Sequence, residues 1–164
     1  MLPTLQIGDH LLTNPLRYGV RSPLGRGWLV RWGAPRPGDV VVFSNPRESG
    51  QTFVKRVVAV GGERVEVRDK QVLVDGVARA LPGATFIEGF GRVQSSGPRD
   101  NFGPVAVPVG QVFVLGDNRD QSVDSRYWGF VDANDVSGKA ALVYWSMDAD
   151  DGWVRWERLG QFVR

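Results

Sequence analysis

The sequence predicts a mainly β, turn-rich fold with at most short helices. Three observations carry that expectation. Glycine and proline number 21 and 10 in 164 residues, which works against long helices and favours tight turns. Short runs rich in valine recur, bounded by Gly, Pro, Asp and Asn. Two-residue turn signals then separate several of these runs at hairpin spacing.

The elements follow in order. Pro35-Arg36-Pro37-Gly38-Asp39 is a turn that launches a buried strand, Val40–Phe43. Gln51–Val60 reads as a longer strand ended by Gly61-Gly62. Arg64–Arg68 and Gln71–Val74 form a hairpin across Asp69-Lys70, and Asp75-Gly76 is a second tight turn. Gly83–Pro104, rich in Gly and Ser, reads as a long loop or mobile ribbon. Gln111–Leu115 is a further strand, followed by a dense polar loop, Gly116–Arg126. A short helix is expected near Asp132–Val136. Lys139–Trp145 and Trp153–Glu157 close the chain as strands across the acidic turn Asp148–Gly152. The length suits one domain, residues 1–164, with a core from 1–60 and 109–164 and an inserted ribbon and Gly-rich loop over 61–108.

Composition narrows the chemistry. A hydrophobic share of 42% with 23% charged residues excludes wholesale disorder. With no cysteine and His10 as the single histidine, disulfides, thiolate catalysis, Cys- or His-rich metal centres and a Ser-His-Asp triad are poor fits. No metal and no cofactor are implied, and His10 reads as a partly exposed side chain on the first strand. Residues 1–36 carry Arg17, Arg21, Arg26, Arg31 and Arg36 against Asp9 alone. A nucleic-acid surface would need them interleaved with stacking aromatics on one face, and a membrane surface would need them near exposed Trp. The plain alternative is a solvated arginine-studded face, and no nucleic acid is expected. Gly89–Gln94 has a superficial dinucleotide-loop pattern that lacks both the third glycine and a strand–helix setting. The longest apolar runs are strand-sized, far short of the ~20 residues of a membrane span.

One residue breaks the pattern. The chain has three lysines against seventeen arginines, and Lys55 lies mid-strand. Period-two alternation places it with Phe53, Val57 and Ala59, and places Arg56 on the other face with Val54 and Val58. Desolvation on an apolar face lowers a lysine pKa and makes the neutral amine available as a general base. The structural alternative is an edge-strand lysine snorkelling to water. Arg56, if buried, needs a carboxylate. The loop Gly116–Arg126 supplies candidates: Ser122 or Ser125 could orient an amine, and Asp117 or Asp124 could hold an arginine.

These residues carry a family resemblance. Met1-Leu2-Pro3-Thr4-Leu5 with Gly8-Asp9 resembles the segment that follows the nucleophile of bacterial type I signal peptidases, membrane-anchored serine proteases with a Ser–Lys dyad. Pro37–Phe43, Phe53–Val58, and Gly116–Arg126 with Trp128-Gly129 resemble three further blocks, in the same order. The resemblance implies Lys55 as general base, Ser122 orienting it, Asp117 as partner of Arg56, and Asp124 with Arg126 as a supporting pair. It implies Met1, Leu5, Phe53 and Val54 as the wall of the pocket for the small residue before the cut. By the same resemblance Leu11, Val42 and Val54 would line a second shallow pocket, the substrate would add a strand beside Phe53-Val54, and the fold would be one of coiled antiparallel sheets, barrel-like.

The resemblance also implies a partner and a place: signal peptides of exported preproteins, cut at the membrane lipid surface on the outer (periplasmic) face of the bacterial cytoplasmic membrane. Tryptophans in Trp28–Trp32 and near the carboxyl end, six in all, are candidates for that surface. One departure stands against activity. The family's nucleophilic serine directly precedes the position of Met1, so these 164 residues, read alone, are expected to be a soluble and inactive fragment, through truncation or a misplaced gene start. The self-cleaving repressor proteases share the chemistry but lack the Gly116–Arg126 block. A conjugative-pilin-type processing peptidase and a non-catalytic peptide- or membrane-binding β module are the remaining alternatives.

Overall fold

A computed structural model describes residues 1–22, 28–44, 50–86, 98–148 and 151–164. The strands are β1 (Asp9–Asn14), β2 (Gly19–Arg21), β3 (Trp28–Arg31), β4 (Val40–Ser44), β5 (Thr52–Val60), β6 (Arg64–Arg68), β7 (Gln71–Val74), β8 (Val77–Ala78), β9 (Phe102–Ala106), β10 (Gln111–Leu115), β11 (Val131–Asp132) and β12 (Val136–Ser146). The one α-helix among the described residues, α1, covers Ser125–Trp128.

Three antiparallel sheets result. The largest runs β1-β12-β4-β5-β10-β11; β2 pairs with β3, and the order β8-β7-β6-β9 makes the third. The large sheet coils without closing, with β1 and β11 as its edges. The turns follow from the residues. Asp69 and Lys70 both have positive φ (47° and 68°), as do Asp75 and Gly76 (51° and 79°), the conformation a right-twisted two-residue hairpin requires.

Three clusters form the core. Val58, Ala59, Phe113 and Leu115 of the large sheet meet Val65, Val67, Val72 and Val74 of the four-stranded one. Tyr18, Val41, Phe43, Val57, Val112 and Val114 form a second cluster. Leu5, Val40, Ala140, Val143 and Val163 form a third, with Met1, Leu11, Val42 and Val54 packed against it. Each such side chain fully withdrawn from water contributes roughly 1.5–3 kcal/mol.

The structure corrects five sequence expectations. The segment after Asp132 is a turn, not a helix. The Asp132 carboxylate accepts the Asn134 amide at 2.7 Å, which competes with helical bonding, and β12 starts at Val136. The helix instead closes the polar loop, where the Asp124 side chain caps α1 by accepting the Arg126 amide. Trp153–Glu157 is not a strand. Only Val154 bridges to Met147, and Trp156–Arg158 turns into a 3-10 helix. The Gly83–Pro104 stretch yields strand β9 at its end, while Gly89–Gln94 and the rest of 87–97 lie outside the described residues, as do Arg26 and part of the Asp148–Gly152 turn.

The fifth correction concerns phase. Phe113 pairs with Ala59, and Val114 with Val57, so Val58 is an extra residue in β5. That bulge moves Ala59 into the cluster of Val58, away from Val57. Lys55 still pairs across from Val41, on the side of Phe53 and Val57, but Ala59 does not share that side.

Candidate functional site

The site forms on β5 just beyond its pairing with β10, where β10 ends and the polar loop begins. Lys55 Nζ lies 3.0 Å from Ser122 Oγ and 5.8 Å from the Phe53 ring centroid. Burial is the strongest influence on Lys55 and lowers its pKa below the ordinary lysine value. The Arg126 charge adds to this, and the Asp124 and Asp117 carboxylates oppose it. An amine so placed accepts a proton more readily at neutral pH than a solvated lysine does.

Glycine makes the Lys55–Ser122 contact possible. A Cβ on Gly116 would lie 2.2 Å from Ser122 Oγ, so only a residue without a side chain lets the loop fold back over the end of β10. Ser125, the other serine the sequence offered, faces elsewhere: its Oγ accepts the Val114 amide at 2.9 Å.

Two buried ion pairs hold the loop. Arg56 Nε and Nη2 each lie 2.8 Å from an oxygen of Asp117, and both side chains are fully enclosed. Arg56 also donates to the Gly38 carbonyl (2.9 Å) and to the main-chain oxygen of Arg164 (2.8 Å). The Asp124 carboxylate accepts from Arg126 Nε at 2.8 Å, from Nη2 at 2.9 Å and from the Gly116 amide at 3.1 Å. Arg126 then reaches the carbonyls of Arg99 and Arg119, each at 2.7 Å. Both pairs are bidentate, which aligns planar groups as well as neutralising them. The choice left open by the sequence thus resolves by geometry: Asp117 takes Arg56 and Asp124 takes Arg126.

Beside Lys55, Met1, Leu5, Leu11, Val42 and Val54 share one apolar cluster. Phe53 does not join it; its ring packs with the second cluster, 6.3 Å from that of Phe43. Edge strand β1 carries His10, edge-on to Tyr144 at 5.9 Å and far in sequence from the polar loop. Among the described residues no group of His, Asp or Glu is arranged to hold a metal ion.

Sequence reasoning missed several members of the site. The Thr4 hydroxyl donates to Asp117 from a segment 113 residues away. Thr85 bonds both ways with the polar loop, its amide to the Asp117 carbonyl (2.8 Å) and its carbonyl from the Arg119 amide (3.0 Å). Gly83, at φ 80°, abuts the ion pair: a Cβ there would stand 2.6 Å from Thr4 Oγ1 and 2.7 Å from Asp117 Oδ2. Its glycine in a Gly-rich stretch was visible, but nothing local marked which one mattered.

Against known families, the model described as "Signal peptidase, peptidase S26" matches residues 1–145, which include every site residue predicted from the sequence. The chain belongs to the signal peptidase family. It is 34% identical to signal peptidase I of Pseudomonas fluorescens over 89% of this chain, and it spans 62% of that relative's length. A probable signal peptidase I-1 of Synechocystis is also 34% identical, over 99% of this chain and 72% of the relative. The crystal structure of a signal peptidase I from Enterococcus faecalis V583 superposes with a TM-score of 0.53 at 31% identity, covering 65% of this chain and 97% of that one. The mostly antiparallel β architecture is therefore the signal peptidase I fold. No helix among the described residues is long and apolar enough to cross a membrane.

Proposed function

We propose that this domain cleaves signal peptides from exported preproteins by Ser–Lys chemistry, with Lys55 as the general base. The observation that carries the reading is the half-buried Lys55 amine, lowered in pKa by burial and held 3.0 Å from Ser122 Oγ beside an apolar cluster. In this reading a serine directly before Met1, in a polypeptide extended on that side, supplies the attacking oxygen. Its proton passes to neutral Lys55 as the Oγ–carbonyl bond forms, and the leaving amine takes a proton as the peptide C–N bond breaks. Water then releases the acyl group, with the same lysine as base. Ser122 orients Lys55, while the Arg56–Asp117 and Asp124–Arg126 pairs keep the loop in register. Met1, Leu5, Leu11, Val42 and Val54 favour small side chains before the cut, and Phe53-Val54 offers strand edge to the extended substrate. Residues 1–164 alone bind such peptides without forming an acyl-enzyme.

The membrane surface is the second partner in this reading, at the outer face of the cytoplasmic membrane. Support comes from large apolar side chains turned to solvent: Leu29, Val30, Trp32, Trp153, Trp156 and Phe162 are each more than half exposed. Vesicle sedimentation compares wild type with Trp32→Ala/Trp153→Ala/Trp156→Ala, and equal binding rejects the contact.

The catalytic reading is tested by extending the chain with Ser-Gly-Ser before Met1 and assaying a signal-peptide substrate with small residues at the cut. Cleavage that Lys55→Ala abolishes is expected, with none from residues 1–164 alone. An extended, membrane-anchored protein that stays inert refutes it.

A further inference from the structure

The strip Met1–Gly8 lies outside the strands and is a run of turns with backbone bonds from Leu5 N–H to Met1 O (3.0 Å) and, at its end, from Asp9 N–H to Gln6 O (3.1 Å). The Met147 amide donates to the Gly8 carbonyl (3.1 Å), and Leu5 packs in the third cluster. Such a segment holds little conformation by itself, so whatever ties it to the body decides its position. One set of ties faces the site: the Thr4 hydroxyl on Asp117, and Thr85 Oγ1 donating to the Leu2 carbonyl at 3.2 Å.

The other set comes from the carboxyl end. Arg158 Nε and Nη2 lie 2.8 and 2.5 Å from the two oxygens of Asp9, and Nη2 also donates to the Thr4 carbonyl at 3.1 Å. Ser146 Oγ donates to Asp9 Oδ1 at 2.7 Å, and Arg155 Nη1 to the Ile7 carbonyl at 2.9 Å. Arg158 and Asp9 are almost wholly enclosed, with side chains 9% and 2% exposed. Arg158 lies beyond residues 1–145, the part matched to the signal peptidase family.

We infer that Arg158, through Asp9 and the Thr4 carbonyl, is a positioning residue that fixes the Met1–Gly8 strip relative to Lys55. The contacts run without a gap: Arg158 grips Thr4, Thr4 grips Asp117, and Asp117 grips Arg56, the chain neighbour of Lys55. This inference rests on the proposed function, in which the attacking serine directly precedes Met1, so the strip sets the distance between nucleophile and base. A planar guanidinium holding a carboxylate and a backbone carbonyl together fixes orientation as well as distance, which a lysine cannot reproduce. Misplacement by about 1 Å is enough to lower a rate by about 10²-fold.

Two measurements test it. In residues 1–164, amide exchange is followed at Leu5, Gln6 and Asp9 and at β5 and β10 in wild type, Arg158→Met and Arg158→Lys. Exchange of the three strip amides is expected to quicken at least tenfold in Arg158→Met while β5 and β10 keep their protection. In the extended, serine-bearing protein, Arg158→Met is expected to lower kcat at least tenfold with a smaller change in KM, because Met1 and Leu5 move with the strip while Val42 and Val54 are untouched. Arg158→Lys falls between. Arg79→Met, which breaks the Arg79–Glu63 pair beside the four-stranded sheet and a bond to the Val58 carbonyl, serves as a stability control and leaves kcat unchanged. Unchanged protection of the strip amides in Arg158→Met overturns the inference, as does an unchanged kcat or a loss matched by Arg79→Met. If the wild-type extended protein is inert, the proposed function fails while the exchange experiment still decides whether Arg158 holds the strip. Should Arg158→Met not fold, Arg158→Lys carries both measurements.

Discussion

Replacing Asp117 by alanine is the sharpest test of how the site is held. The carboxylate accepts two hydrogen bonds from Arg56, each 2.8 Å, and one from the Thr4 hydroxyl, with no solvent access to either charged side chain. Its removal leaves the guanidinium enclosed, with the Gly38 carbonyl and the main-chain oxygen of Arg164 as its main remaining acceptors. The enclosed, bidentate carboxylate is lost, so the folded state loses roughly 3–5 kcal/mol, the range for stripping one partner from a buried pair. In a domain of this size each kcal/mol moves Tm by about 2–4 °C, so a fall of about 6–20 °C is expected. Glu66→Ala provides the contrast: its partner Arg68 has a side chain 64% exposed, and loss of the pair is worth about 1 kcal/mol or less. Urea titration with both variants gives the two values directly. The double variant Arg56→Met/Asp117→Leu should recover more than half of the loss, since an apolar pair of similar bulk replaces the charges without stranding one. An Asp117→Ala loss no larger than that of Glu66→Ala, or a double variant as unstable as the single one, would refute the reasoning.

Three further outcomes follow from the same geometry. Lys55 has a folded-state pKa below its unfolded value, so the protonated amine opposes folding. That penalty is present below the folded pKa and disappears as pH rises toward the unfolded value near 10.4. Wild type should therefore gain stability relative to Lys55→Met across that interval, and a flat difference measured by urea titration rejects the shift. Gly116→Ala places a Cβ 2.2 Å from Ser122 Oγ; a destabilisation of about 1–3 kcal/mol and loss of the Lys55–Ser122 bond, followed by NMR titration of Lys55, are expected. Asp9 is pulled toward a higher pKa by burial, but hydrogen bonds from Arg158, the Gln6 amide and Ser146 outweigh this and hold it below the usual carboxylate range. Its contribution is present above the unfolded pKa and is lost as pH falls through the folded one, so Asp9→Asn should flatten the acid limb of a stability–pH curve.

Much of the site was legible because its parts are local. Lys55 and Arg56 stand out as charges inside a strand, and period-two alternation alone sends them to opposite sides. The loop after β10 concentrates its carboxylates, serines and arginines within eleven residues, so their mutual pairing could be anticipated even though the partners could not. Ser122 and Ser125 are equivalent by spacing; the fold of the loop over Gly116 separates them. The bulge at Val58 was not legible, because it arises from pairing with Phe113 and Val114 and not from any residue within β5.

The chain's own pattern of valine runs, positive-φ turn residues and displaced charges determined a mainly β, turn-rich protein and the chemical types at its centre, because strand periodicity and turn chemistry act over a few residues. Tertiary structure alone decided how the amino-terminal strip reaches that centre. Thr4 meets Asp117 across 113 positions and Asp9 meets Arg158 across 149. Contacts of that span depend on loop closure and on which faces the sheets bury, and no local pattern encodes them.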